Sequence, residues 1–164
     1  MLFRVYQPSD AETIAAIYRD AVIGVGSSAY NAKQIEIWSS YPEDIEEFRG
    51  LLSEGLTVVG LHDSQLVAFG QLNPSNHIAF IYTASQFARC GYATEIYQQL
   101  EAKAIQEKVK RLHTEASRIS KHFFLKMGFR VIETEIVLRQ DVEFERFKME
   151  KIVGSVSFLM EDKI

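Results

Sequence analysis

Apolar and polar positions along the chain follow two periods that replace one another several times. Leu2 to Tyr6 alternates as a strand does, and Pro8-Ser9-Asp10 supplies a turn and a cap for a helix with apolar positions at Ile14, Ile17, Tyr18, Ala21 and Val22. After the linker GVGSSAYN, Asn31 caps a short second helix carrying Ile35 and Trp38. Pro42-Glu43-Asp44 opens a third, with acids in its first turn as the helix dipole favours. From Leu56 the period shortens: Leu56 to Leu61, Gln65 to Leu72 and His77 to Thr83 are β-rich runs separated by His-Asp-Ser and Asn-Pro-Ser-Asn turn signals, which predicts an antiparallel meander. Helical spacing returns from Gly91 to about Lys108 through Ala93, Ile96, Tyr97, Leu100, Ala104 and Ile105. Arg111 to Ala116 then reads as a strand, Ile119 to Met127 as a helix stopped by Gly128, and Phe129 to Glu135 and Glu143 to Ile152 as two final strands.

This order lacks any repeat, low-complexity tract or linker between domains, so the pattern predicts one α/β domain over residues 1–153 with a loosely ordered tail over residues 154–164. The chain has 164 residues, of which 47% are hydrophobic and 24% charged, as in ordinary globular proteins. A net charge of -4, with basic residues spread along the chain, lacks the footprint of a nucleic-acid binder; it weakly favours a cationic small substrate. Cys90 is the single cysteine, which excludes an internal disulfide and a multi-cysteine zinc site and fits a reducing cytoplasm. The start of the chain lacks a signal-peptide core, and no apolar run is long enough for a membrane helix.

The stretch QFARCGYATEIYQQLE concentrates the candidate chemistry. A lone Gly91 sits where a strand gives way to a helix, and helix N-termini present unpaired N–H groups and positive partial charge, which together attract an anion. Glycine lets a phosphate approach, Arg89 adds a charged fork, and Thr94 adds a hydroxyl in the first turn. Neither the nucleoside-triphosphate loop nor the dinucleotide fingerprint is present, because no Lys-Ser or Lys-Thr follows Gly91 and the other glycines of both patterns are missing. Taken alone, the pattern is equally compatible with a glycine easing a tight turn.

ARCGYA, Ala88 to Ala93, resembles the Q/R-x-x-G-x-G/A segment of the GNAT superfamily of acyl-coenzyme A N-acyltransferases, with Ala88 in place of the usual Gln or Arg. The resemblance runs through FRVYQPSDAETIAAIYRDAV, HIAFIYTASQFARCGYATEIYQQLEAKA and EASRISKHFFLKMGF to FERFKMEK, and looks like the bacterial YafP-like branch. It implies a mixed, mostly antiparallel central sheet of about seven strands flanked by helices. It also implies acetyl-coenzyme A as cofactor, its pantetheine on the backbone of Ile81, Tyr82 and Thr83 and its pyrophosphate on the amides of Arg89, Cys90, Gly91, Tyr92, Ala93 and Thr94. The implied reaction is attack of an amine on the thioester without a metal, the partner being a small-molecule amine, with a homodimer as an option the family offers.

Three tasks follow: deprotonating the amine, stabilising the oxyanion and protonating the thiolate. Relatives often carry an acid where this chain has Ala79, and a Tyr where it has Phe124, which then lies beside the cofactor. Glu115 is the best remaining acid, with His77 and His122 behind it, and Tyr82 or Tyr30 could donate a proton; each also reads as an ordinary surface or packing residue. Ser117 stands where relatives contact pantetheine, and equally suits a helix cap. Tyr30 and Trp38 are expected to line the acceptor pocket. Ala79 and Phe124 keep two further readings open, an acyl-coenzyme A sensor without turnover and a protein or peptide N-acetyltransferase.

Overall fold

A computed structural model describes residues 1–154; of the expected tail, all but Gly154 lies outside the described residues. Its elements are β1 (Leu2–Val5), α1 (Ala11–Gly26), α2 (Ala32–Ser39), α3 (Ile45–Leu52), β2 (Leu56–His62), β3 (Gln65–Leu72), β4 (Ile78–Thr83), α4 (Tyr92–Gln106), β5 (Arg111–Ala116), α5 (Ser120–Lys126), β6 (Arg130–Arg139) and β7 (Val142–Ile152). The order is the one the hydrophobic pattern predicts, and β3 and β5 have the expected bounds. Asn31 caps α2 by accepting from the Gln34 amide, while the Gln34 side chain accepts from the Asn31 amide. Asp44 caps α3 by accepting from the amides of Glu46 and Glu47.

The seven strands form two antiparallel sheets rather than one continuous sheet, in the orders β1-β2-β3-β4 and β5-β7-β6. They meet at a parallel bridge between His77 and His113, where the His113 amide donates to Asn76 O at 2.8 Å and Thr114 Oγ1 donates to Ile78 O at 2.9 Å. Beyond Thr114, no hydrogen bond joins β4 to β5 among the described residues, so the two sheets splay from this apex.

Helices cover both faces of the four-stranded sheet. On one face Ile96, Leu100 and Ala104 of α4 pack against Val58, Val67 and Leu72, and this core continues into the second sheet through Leu112, Phe124, Phe129 and Met149. On the other, Ile14, Tyr18 and Val22 of α1 and Phe48 and Leu52 of α3 enclose Val59 and Phe69. Ile105 departs from the expected pattern: it is 43% exposed, because the last turn of α4 presents that flank to solvent.

The final hairpin is longer than expected. Strand β6 runs to Arg139, and only Gln140 and Asp141, with φ of 50° and 64°, make the turn to Val142. Positive φ at both central residues is what a tight hairpin turn demands, and neither residue is the glycine that usually advertises it. No helix among the described residues is long and apolar enough to cross a membrane.

Candidate active site

The splay between β4 and β5 opens into a cavity of about 1020 Å³, walled by both strands, by α1 and α2, by the segment leading into α3 and by the β6–β7 hairpin. Its position follows from pairing. Ala84 N donates to Val67 O, so alternation along an antiparallel ladder places Tyr82 and Phe80 in the bonded pairs with β3. The same alternation turns the N–H and C=O groups of Ile81 and Thr83 toward the opening, while those of Tyr82 are engaged with Phe69. The register shifts between Gln71 and Leu72, which pair with Phe80 and Ile78, leaving Ala79 as the extra residue of a β-bulge near the apex.

At the C-terminal end of β4 a short turn, Ser85–Phe87, leads to α4. Asp20 of α1 holds this turn, its carboxylate accepting from Ser85 N at 2.6 Å and from Ser85 Oγ at 3.2 Å. Gly24, one helical turn further on, permits the close approach: a Cβ there would meet Ser85 Cβ at 2.5 Å. The loop then makes two left-handed steps, Arg89 at φ 61° and Gly91 at φ 96°. No side chain caps α4, and the amides from Arg89 to Thr94 have no hydrogen-bond partner among the described residues. Such a run of N–H groups in a left-handed turn at a helix N-terminus is an anion nest. Arg89 and Cys90 are exposed, Ala93 and Thr94 half-buried, and the Tyr92 ring is buried against Phe3 and Phe87. These residues lie beyond the cavity rather than on its wall.

At the other end of β4, side chains supply the polar groups. His77 Nε2 lies 2.6 Å from Glu115 Oε2, and His77 Nδ1 lies 3.0 Å from the Asn73 carbonyl. The carbonyl can only accept, so Nδ1 carries a proton and Nε2 faces the carboxylate. The hydrogen bond to Glu115 raises the imidazole pKa above its ordinary value, outweighing burial. The same contact holds Glu115 below the usual carboxylate range, helped by Arg146 and Lys148 on β7. Both residues line the cavity. His122, the third expected candidate, is exposed on α5 and does not reach the cavity.

The aromatic wall contains both expected acceptor-side residues and others read only as core. Tyr30 and Trp38 meet edge to face at 5.1 Å, and Tyr18 lies 4.7 Å from Tyr82. The Tyr82 oxygen faces Tyr18 and Trp38, yet burial dominates and pushes its pKa up to about 12. Burial raises Tyr18 still further. Arg118 fixes Tyr30: the phenol oxygen accepts from Arg118 N at 2.9 Å, and Arg118 also donates to Ala29 O at 3.0 Å and Glu145 Oε1 at 3.1 Å. Ser117 lines the cavity and caps α5: its hydroxyl accepts from Ser120 N at 3.0 Å while Ser120 Oγ accepts from Ser117 N at 2.9 Å. Phe124 lies on the cavity wall, packed 5.1 Å from Phe129.

A splayed strand pair, a bulge at its apex and an uncapped helix after the strand together define a fold that the comparisons identify. The model of the acetyltransferase (GNAT) domain matches residues 10–152. The chain belongs to the GNAT acetyltransferase family. It is 25% identical over 146 residues to the uncharacterized N-acetyltransferase YafP of Escherichia coli, covering 89% of this chain and 92% of that protein. Among solved structures it is similar to a GCN5-related N-acetyltransferase, also described as a class-II aminotransferase, from Rhodopseudomonas palustris. That pair has 26% identity and a TM-score of 0.89, covering 93% of this chain and 95% of the other. A PaiA N-acetyltransferase from Thermoplasma acidophilum, crystallised with coenzyme A, shares the fold at 16% identity and a TM-score of 0.74, with 93% and 99% covered.

Set against the GNAT expectations, the structure brings Ile81, Tyr82, Thr83, Ser117, Phe124, Tyr30, Trp38 and Glu115 to one cavity. It places Arg89 to Thr94 at the helix start beyond Thr83. Sequence reasoning missed Tyr41, which lines the cavity, and Arg118, which holds Tyr30 from behind the wall, and it read Tyr18 as core alone. Arg118 carries no local signal, since its partners Ala29 and Tyr30 are 89 and 88 residues away.

Proposed function

We propose that this GNAT protein transfers an acetyl group from acetyl-coenzyme A to the primary amine of a small molecule. The observation that carries the reading is the run of unpartnered amides from Arg89 to Thr94, joined by the outward-facing main chain of Thr83 and Ile81 to the cavity apex. A diphosphate on the nest and an extended amide-bearing arm along β4 would bring a thioester to the bulge at Ala79. The coenzyme A complex of the Thermoplasma acidophilum relative supports this choice of cofactor. The residues fit it: Gly91 is exposed, and a Cβ built there would meet only Met1 Cε, at 3.4 Å, so nothing but a flexible side-chain tip crowds the nest. When bound, the cofactor supplies an activated acyl group and a good leaving group.

The chain's own residues do the rest. Main-chain N–H groups along β4 would stabilise the developing oxyanion. Aromatic walls from Tyr30, Trp38 and Tyr82 enclose the acceptor and exclude water, and Glu115 stands ready for its proton. Enclosure between α2, the α3 entry and the β6–β7 hairpin favours a small acceptor over a folded protein. Thermal unfolding with and without acetyl-coenzyme A tests binding, because a ligand selective for the native state raises apparent stability. Thiol release against polyamines, amino acids, aminoglycosides and peptides then tests turnover. A thermal shift with release on a small amine is expected. No shift at saturating cofactor would refute the reading, and a shift without release from any acceptor would leave a sensor.

A further inference from the structure

We propose that His77 and Glu115 form a single-proton relay at the cleft apex, taking the proton shed by the attacking amine and returning one to the departing thiolate. The inference rests on the acetyl-transfer reading above and names the groups that carry its proton. It begins with what the cleft lacks. Strand β4 bears no carboxylate, and Phe124 on α5 has no proton to give. Tyr82 keeps its oxygen among Tyr18 and Trp38, and a phenol held near 12 is mismatched to a thiol whose ordinary pKa is about 8.5.

Other ionisable groups on the wall are committed or distant. Glu145 pairs with Arg118, Arg146 pairs with Glu135, and Asp44 caps α3, while Tyr30, whose oxygen accepts from the Arg118 amide and keeps its own proton, packs on Trp38 and Phe144 rather than on the bridge. Glu43 and Glu47 belong to the α3 entry at the mouth. On the cavity wall, His77 and Glu115 are the ionisable pair beside the bridge where the sheets meet.

Their geometry confines proton exchange to one path. Nδ1 is tied to the Asn73 carbonyl at 3.0 Å, and Nε2 to Glu115 Oε2 at 2.6 Å. Glu115 Oε1 carries no bond among the described residues and is free to meet an amine or its water. The charged groups acting on the pair are Arg146 and Lys148 from β7, and both favour the ionised carboxylate; His113 meets His77 through main chain at the bridge.

The step balances. The amine nitrogen bonds to the acyl carbon, and the resulting tetrahedral intermediate collapses as the carbon–sulfur bond breaks. The nitrogen's surplus proton passes to Glu115. The Nε2–H of the His77 imidazolium stays on Glu115 Oε2 throughout, and the proton taken up on Oε1 passes on to sulfur. Amide and thiol leave, and the pair is restored.

The test measures acetyl-coenzyme A affinity by calorimetry and thiol release against pH for the wild type, Glu115→Gln, His77→Gln and the double variant. The relay predicts cofactor affinity within about twofold of wild type. It also predicts kcat lower by roughly a hundredfold in each single variant, loss of the same pH limb in both, and a double variant no worse than either single, because the two act as a unit. Glu115→Asp should recover part of the rate. Gln variants that retain kcat/KM within about threefold and keep the wild-type pH profile overturn the relay while sparing the acetyl-transfer reading. A wild type that neither binds nor turns over acetyl-coenzyme A overturns both. Should the variants fold poorly, nitrogen-15 NMR of the wild-type imidazole decides: Nδ1 protonated throughout the titration supports the relay, and Nδ1 exchanging its proton refutes it.

Discussion

The two ends of strand β4 offer polar groups of different kinds. At its C-terminal end, past Thr83, the unpartnered groups are main-chain amides from Arg89 to Thr94 that no side chain occupies. At its N-terminal end, beside Ile78, they are the imidazole of His77 and the carboxylate of Glu115. The amide end depends on backbone conformation more than on side chains, since the left-handed residues Arg89 and Gly91 set the direction of the N–H groups. The side-chain end depends on identity, because only an ionisable pair can trade a proton. Mutations should therefore separate the two: shape changes at one end, chemical changes at the other.

The largest effect is expected from Gly91→Glu. A side chain forced to φ 96° costs about 1–2 kcal/mol in backbone strain, and the carboxylate faces the diphosphate. Cofactor affinity should fall by about two decades while the melting temperature drops by only roughly 2–8 °C. Calorimetry beside thermal unfolding checks both, and retained affinity would show that the nest is elsewhere.

Tyr30→Phe should act next most strongly, at the side-chain end. It removes the acceptor of the Arg118 amide, 2.9 Å away, and leaves a part-buried N–H unpaired, at about 1–3 kcal/mol. Denaturant unfolding should register that loss, and cofactor affinity should stay unchanged. A fall in cofactor affinity as large as that for Gly91→Glu would erase the distinction between the ends.

A smaller signal lies in stability against pH. His77 has a raised folded pKa, so its contribution is complete below the ordinary histidine value of about 6.5 and is lost as pH climbs through the folded value. Glu115 has a lowered folded pKa, so its contribution is complete above the ordinary carboxylate value and is lost as pH falls through the folded one. The pair thus stabilises most between the ordinary carboxylate value and the ordinary imidazole value, and fades toward the lowered carboxylate on one side and the raised imidazole on the other. Partial exposure limits the alkaline loss to ~1–3 °C in melting temperature, and His77→Gln should remove that alkaline slope.

Cys90→Ala should change least. The thiol is exposed and only its amide belongs to the nest, so affinity and turnover should remain within about twofold. A large loss of turnover would assign the thiol a chemical part that the amide account denies it.

Legibility in the sequence followed the same divide. Strands β3 and β5 were readable to the residue, β3 because a β-rich apolar run lies between turn signals and β5 because Leu112, Thr114 and Ala116 alternate with outward residues. The start of α4 was readable because Gly91 interrupts an apolar run just before helical spacing begins. The reach of β6 was not, since Gln140 and Asp141 turn the chain with positive φ without a glycine. Division into two sheets was also hidden, as it depends on Asn76, His77 and Ile78 meeting His113 and Thr114, a contact that local spacing cannot encode. His77 and Glu115 were each visible as candidates, and their pairing across 38 residues needed the fold. Tyr18 satisfied helical periodicity so fully that its second role on the cavity wall left no trace.

Amide hydrogen exchange with and without saturating acetyl-coenzyme A tests the central claim most directly. Protection is expected to rise at Arg89 to Thr94 and at Ile81 and Thr83, with Tyr82 already slow in the free protein. Protection confined to other segments, or none anywhere, would contradict the account.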